Sequence, residues 1–204
     1  MSAVVVIDAL LDAQRVWRGA AALVQRGASH PTGHAALDNR LPQGGWPDRA
    51  LSEILLPADG VGELALVFPT LARLSQAGQR VALIAPPYRV HAPGWAHAGV
   101  ALPLLQVVQA HARDALWAAE QCLRSGACAA VLCWPHHADD RALRRLQVAA
   151  ETGQCLGFAF RDAKHARNPS PAALRVQVEA ETRQVRVLKC RGGLAPVHPI
   201  TLVS

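Results

Sequence analysis

A chain of 204 residues suits one domain, or one domain with an arm, and can bury a core without disulfide or metal support. Its charged fraction of 18% is below the usual share, and no window reaches the roughly 18 uninterrupted apolar residues of a membrane span. The formal net charge of +6 favours nucleic acid, an acidic protein or an anionic membrane surface, but the cations are scattered, so a merely solvated basic surface fits equally well.

The opening, Met1 to Asp8, has no basic region and no cleavage signature, so no secretory signal is expected. Residues 8 to 26 read as an amphipathic helix. Leu10, Ala13, Trp17, Ala20 and Val24 recur at spacings of three and four, and Gly27 is a plausible stop. This helix is taken as an arm, residues 1 to 28, packed on the core (29 to 204), on a second copy or on a partner. Leu10, Trp17 and Val24 are its candidate partner-binding residues. Trp17 fits a core position as well as an interface anchor. Residues 28 to 49, rich in Gly, Pro and Asn, read as a connector.

From Leu51 strands and helices alternate. Leu51 to Leu56 reads as a buried strand. Val61 to Ala77 reads as a helix, with Leu64, Val67, Phe68, Leu71 and Leu74 inward and a bend at Pro69. Strand Arg80 to Ala85 leads into a Pro-rich loop through Gly94, followed by a short strand, Leu104 to Val108. Helix Ala112 to Arg124 stops at Gly126. Strand Ala129 to Trp134, helix Ala138 to Thr152 (stopped by Gly153) and strand Cys155 to Phe160 follow. Near-continuous apolar strands separated by amphipathic helices predict an α/β fold: a mostly parallel sheet with helices on both faces. Ala173 to Glu179, Gln184 to Arg191 and Val197 to Val203 read as an antiparallel extension.

Ligands in such folds bind beyond the carboxyl ends of the strands. There the loop Pro57-Ala58-Asp59-Gly60-Val61-Gly62-Glu63 resembles a phosphate-binding loop in place and glycine content. That loop needs G-x-x-x-x-G-K-[ST], with amides and a lysine for the phosphates and a hydroxyl for magnesium. With Gly62 as second glycine, Pro57 stands at the first, Glu63 at the lysine and Leu64 at the hydroxyl. A carboxylate about 4 Å from a phosphate charge is repelled by roughly 4 kcal/mol at an effective dielectric near 20. A helix N-terminus returns only about 0.3–1 kcal/mol. The strand Ala129 to Trp134 also ends in Cys and Trp, where magnesium would want a carboxylate. The reading is a chain that is not an enzyme and holds no cofactor.

Several segments resemble the bacterial recombinase RecA in order and spacing: Thr32-Gly33, Leu37-Asp38, Gly44-Gly45-Trp46-Pro47 with Glu53-Ile54, Gln79 to Ile84, Ala115-Leu116 with Ala119, Arg124 to Ala127, and Leu174 to Leu188. Others are similar to the ImuA family of RecA/SulA-like proteins associated with translesion synthesis: Val16 to Gly19, Ala85 to Tyr88, Asp114 to Gln121, Arg144 to Gln147 and Ser170 to Arg175. The resemblance implies a degenerate RecA-like core in a cytoplasmic, nucleoid-associated accessory factor induced by DNA damage. Its implied partners are the Y-family polymerase homologue ImuB, an error-prone replicative-type polymerase and RecA. Pro87 stands where RecA has its catalytic glutamate. The regions matching RecA's DNA-binding loops, Pro135 to Asp140 and Asp162 to Ser170, are short, and no C-terminal domain like RecA's is expected.

Arg141, Arg144 and Arg145 form a basic helix face, and Lys164, His165 and Arg167 a basic loop nearby in the predicted topology. They are candidate contacts to a DNA backbone, which needs only charge; a solvated face is the other reading. Stacking aromatics of a single-strand binder are not evident. His136-His137 with Asp139-Asp140 lack the spacing of a metal site, and Cys122, Cys128 and Cys133 read as core thiols. Three functions remain: an adaptor in translesion synthesis, a SulA-like inhibitor of cell division acting on the tubulin-like division protein, and a RecA-like DNA-dependent ATPase.

Overall fold

Residue placement follows a computed structural model that describes residues 30–179 and 182–202. The predicted arm, with Leu10, Trp17 and Val24, lies outside the described residues. The helices are α1 (Ala35–Asp38), α2 (Phe68–Gln76), α3 (Ala92–His97), α4 (Ala112–Arg124) and α5 (Asp140–Gly153). The strands are β1 (Leu51–Leu56), β2 (Val81–Ile84), β3 (Leu105–Val108), β4 (Ala130–Cys133), β5 (Leu156–Asp162), β6 (Leu174–Glu179), β7 (Gln184–Cys190) and β8 (Ile200–Thr201). They form one eight-stranded sheet in the order β3-β2-β4-β5-β1-β6-β7-β8.

Alternation along each strand divides the core in two. Ile54, Leu83, Leu132, Phe158 and Val176 face one side, with Trp46 and the inner faces of α2 and α3. Leu51, Ile84, Val131 and Ala159 face the other, against α4 and α5. Both faces are covered, so β1, β2 and β4 are buried at every position.

Some expectations change. β6 does not extend the sheet antiparallel to its neighbour β1: it pairs with β1 in parallel, Ser52 opposite Leu174, and only β7 and β8 reverse direction. The connection from β5 carries the chain past β1 and back to the amino end of the sheet, so β6 runs parallel to both β5 and β1. The predicted helix 61–77 is two pieces, a 3-10 turn (Glu63–Leu66) and α2. Pro69 lies in the first turn of α2, where a missing N–H costs nothing, so it starts a helix instead of bending one. The Pro-rich loop holds α3, capped by the His91 ring, which accepts from the Gly94 N–H at 3.2 Å.

The connector also does more than link. Leu37, Leu41 and Trp46 are core residues, and the Trp46 indole N–H donates to Thr70 Oγ1 at 3.0 Å. Gly153 does not supply the left-handed stop of α5; Gln154 does, at φ 53°. Gly153 is needed for closeness, since a Cβ there would lie 1.9 Å from the Leu123 carbonyl oxygen of α4. No described helix is long and apolar enough to cross a membrane.

Candidate functional site

Four loops meet at the carboxyl end of the parallel strands, after β1, β2, β4 and β5. In the first, Gly60 and Gly62 take φ values of 81° and 90°, which side chains rarely adopt. They turn the chain so that Glu63 folds back inside, where its Oε1 accepts from the Gly60 N–H at 3.2 Å. Glu63 is only 4% exposed, and its Oε2 has no hydrogen-bond partner among the described residues. The Gly60 amide is thus taken by the loop's own carboxylate.

The second loop leaves β2 through Ala85, whose φ of 45° is left-handed and whose N–H donates to the Val108 carbonyl at 2.8 Å. Pro86, Pro87 and an exposed Tyr88 follow. In the third, Trp134 stacks on Phe160 with ring centroids 5.0 Å apart. Its indole N–H is buried without a partner among the described residues. His136 reaches back to Asp59 of the first loop at 3.4 Å. Asp139 caps α5 by accepting from the Ala142 N–H at 2.7 Å, and Asp140 pairs with Arg144. The His-His-Asp-Asp run is thereby dispersed over three separate tasks.

The fourth loop, Asp162 to Ser170, carries a 3-10 turn over Ala163–Arg167. The Lys164 backbone N–H donates to Asp162 at 2.8 Å, and that bond, with the Lys164 side chain, holds the Asp162 carboxyl below its ordinary pKa. His165 is also held below its ordinary value, first by burial and then by the positive Arg161 and Lys164. Beneath this loop lies a network that sequence reasoning missed. Glu53, wholly buried in the middle of β1, accepts from Arg161 at 2.6 Å and from Arg175 at 2.5 Å. Arg161 donates further to the Ala138 carbonyl of the third loop. Arg175 donates to the carbonyls of His165, Ala166 and Asn168 in the fourth. One buried carboxylate therefore ties two loops to the central strand. The available signal was a charged residue in the otherwise apolar or small run Leu51-Ser52-Glu53-Ile54-Leu55-Leu56.

The five permanently charged candidate DNA contacts lie near this end. Arg141, Arg144 and Arg145 are exposed on the early turns of α5, and Lys164 and Arg167 on the fourth loop. They do not form one free basic face. Arg144 pairs with Asp140 at 3.3 Å, Arg145 approaches Glu120 of α4 at 3.5 Å, and Lys164 pairs with Asp162 at 3.1 Å. Arg141 and Arg167 have no ion-pair partner among the described residues. The cysteines are free thiols; burial pushes Cys133 up to about 12, so it stays protonated.

The first three of these loops lie in the stretch that a known family matches. A family model described as "Cell division inhibitor SulA" matches residues 50–157, just over half of the chain. The chain belongs to the SulA family. Among solved structures it is similar to the crystal structure of SulA from Pseudomonas aeruginosa, at 28% identity and a TM-score of 0.46, over 54% of this chain and 96% of that one. No match was found among curated protein sequences. The SulA stretch runs from just before β1 to the second residue of β5, so it holds the first three loops and the amino-terminal part of the sheet.

Proposed function

We propose that this chain is a non-catalytic, damage-induced inhibitor of cell division that works by binding the tubulin-like division protein. The observation that carries the reading is the SulA match over residues 50–157. The interior of the first loop supports it. Glu63 occupies the place of a phosphate loop's lysine and bonds to Gly60, so the loop repels a triphosphate and holds its own shape. A binding surface built from four braced loops needs no turnover. The test is expression of the full chain in a bacterium and addition of purified chain to polymerising division protein. Filamentation and lowered polymer mass are expected. Normal septation together with unchanged polymer would remove the reading.

A second reading is an ImuA-like adaptor of translesion synthesis on a degenerate RecA-like core, with ImuB, an error-prone replicative-type polymerase and RecA as partners. It is favoured by what lies beyond the SulA stretch. The sheet continues through β6, β7 and β8, and the ImuA-like segments Val16 to Gly19 and Ser170 to Arg175 fall outside residues 50–157. In that reading the arm, through Leu10, Trp17 and Val24, carries the partner contact. Deleting residues 1 to 27 would abolish capture of ImuB or RecA while the core keeps its melting temperature. A core that unfolds on deletion would make the arm structural instead.

A further inference from the structure

A cavity of about 170 Å³ opens among the first three loops, lined by Glu63, Leu83, Tyr88, Arg89, Trp95 and Trp134, with others. Two of these residues bring unsatisfied atoms of opposite sense. Glu63 Oε2 is a buried acceptor, and Trp134 Nε1 a buried donor, neither with a partner among the described residues. Leaving such groups unpaired is costly, and native folds rarely do so. At roughly 30 Å³ each, five or six waters would fill the space. The walls argue for a different occupant. Tyr88, Trp95 and Trp134 line the cavity together with the Glu63 carboxylate, a composition that recognises an organic cation through aromatic rings and charge together. Tyr88 is 62% exposed, so its ring is available to something arriving from solvent.

We propose that this cavity receives a lysine or arginine side chain from a partner protein segment, the cation on Glu63 and a main-chain carbonyl of the same segment on the Trp134 N–H. A basic residue within a peptide is the simplest group that offers both a charged donor and a carbonyl acceptor. The inference rests on the reading of the chain as a protein-binding inhibitor, and it names what that surface grips. Arg89, which also lines the cavity and has no ion-pair partner among the described residues, is a rival occupant from the chain itself.

The experiment uses the full chain with labelled tryptophan indoles and four capped tripeptides: Ala-Arg-Ala, Ala-Lys-Ala, Ala-Gln-Ala and Ala-Glu-Ala. Trp134→Phe assigns the reporter resonance. The basic peptides are expected to shift the Trp134 indole signal with millimolar affinity, and the other two to leave it in place. Glu63→Gln should weaken that binding by about tenfold or more, whereas Arg141→Ala should leave it unchanged. If Glu63→Gln fails to fold, Trp134→Phe, which keeps the ring and loses the donor, should still weaken binding when read by peptide resonances. The proposal falls if neither basic peptide shifts the signal, if all four do so equally, or if binding needs Arg89→Ala first. Basic-peptide binding with normal septation and unchanged polymer leaves the inference standing and removes the division reading. Filamentation with no peptide binding does the reverse.

Discussion

The Glu53 carboxylate and the Arg175 side chain meet at 2.5 Å across 122 positions of sequence, inside the sheet. Arg161 takes the other carboxylate oxygen. With two guanidiniums on one carboxylate, the excess positive charge is spread over main-chain carbonyls of the third and fourth loops. Removing the shared anion strands both cations in the interior. Glu53→Ala is therefore expected to cost about 3–5 kcal/mol, seen as a fall in the urea midpoint. A shift below about 1 kcal/mol would mean that the carbonyls alone hold the arginines.

ATP with magnesium is expected not to bind the wild-type chain at concentrations up to about 1 mM, where even weak binding is worth roughly 4 kcal/mol. Isothermal titration checks this. Micromolar affinity, or any turnover above a Glu63→Ala control, would overturn the electrostatic reading of the first loop.

His165 gives the fold a pH dependence. Its pKa is held below the ordinary 6.5, first by burial and then by Arg161 and Lys164. The unfolded chain therefore takes up a proton more readily than the folded one. The associated stability is complete above 6.5 and is lost as pH falls through the lower folded-state value. Thermal melts between about pH 8 and pH 5 should show wild type losing more melting temperature than His165→Gln, which cannot titrate. Parallel losses would show that this imidazole contributes nothing.

Gly153→Ala probes the contact between α4 and α5. The new Cβ would meet backbone, at 1.9 Å from the Leu123 oxygen and 2.9 Å from the Arg124 carbonyl carbon. Backbone at a helix end yields only by moving the helix, so a loss of about 1–3 kcal/mol is expected. Chemical denaturation measures it, and an unchanged midpoint would show that the two helices slide freely.

Arg141 and Arg167 are the two candidate DNA contacts without an ion pair among the described residues. Replacing either by Ala should alter stability by no more than about 0.5 kcal/mol. If they touch phosphates, each loss lowers the slope of log affinity against log salt by about one. An unchanged slope would leave them as solvated charges.

Strand periodicity was a strong guide because burial on both faces leaves little else a run such as Leu51 to Leu56 can do. Helix α4 was read to its exact bounds because polar and apolar residues segregate cleanly around it. Pro69 misled because proline looks the same to a pattern whether it bends a helix or begins one; the left-handed turn at Gly62 decides, and that is tertiary. The direction of β6 was illegible for a related reason, since alternation carries no information about which neighbour a strand will find. At the site, Glu63 was legible as the wrong charge for a phosphate loop. Its inward fold turns on the positive φ of Gly60 and Gly62, and the bracing of two loops by Glu53 depends on Arg161 and Arg175, more than a hundred positions away.

The order β5-β1-β6 places the earliest of the described strands at the centre, between two of the later ones. During synthesis β1 emerges first and must wait for residues 156–179 before either of its edges is satisfied. Contacts so distant in sequence form slowly, and an unpaired apolar strand is an invitation to other chains. A product cut short at residue 157 would keep the SulA stretch and yet present the Ser52–Leu55 edge unclaimed by β6. Nascent chains of this protein would thus call for chaperone shelter late in translation, and premature termination would favour aggregation over a smaller folded unit.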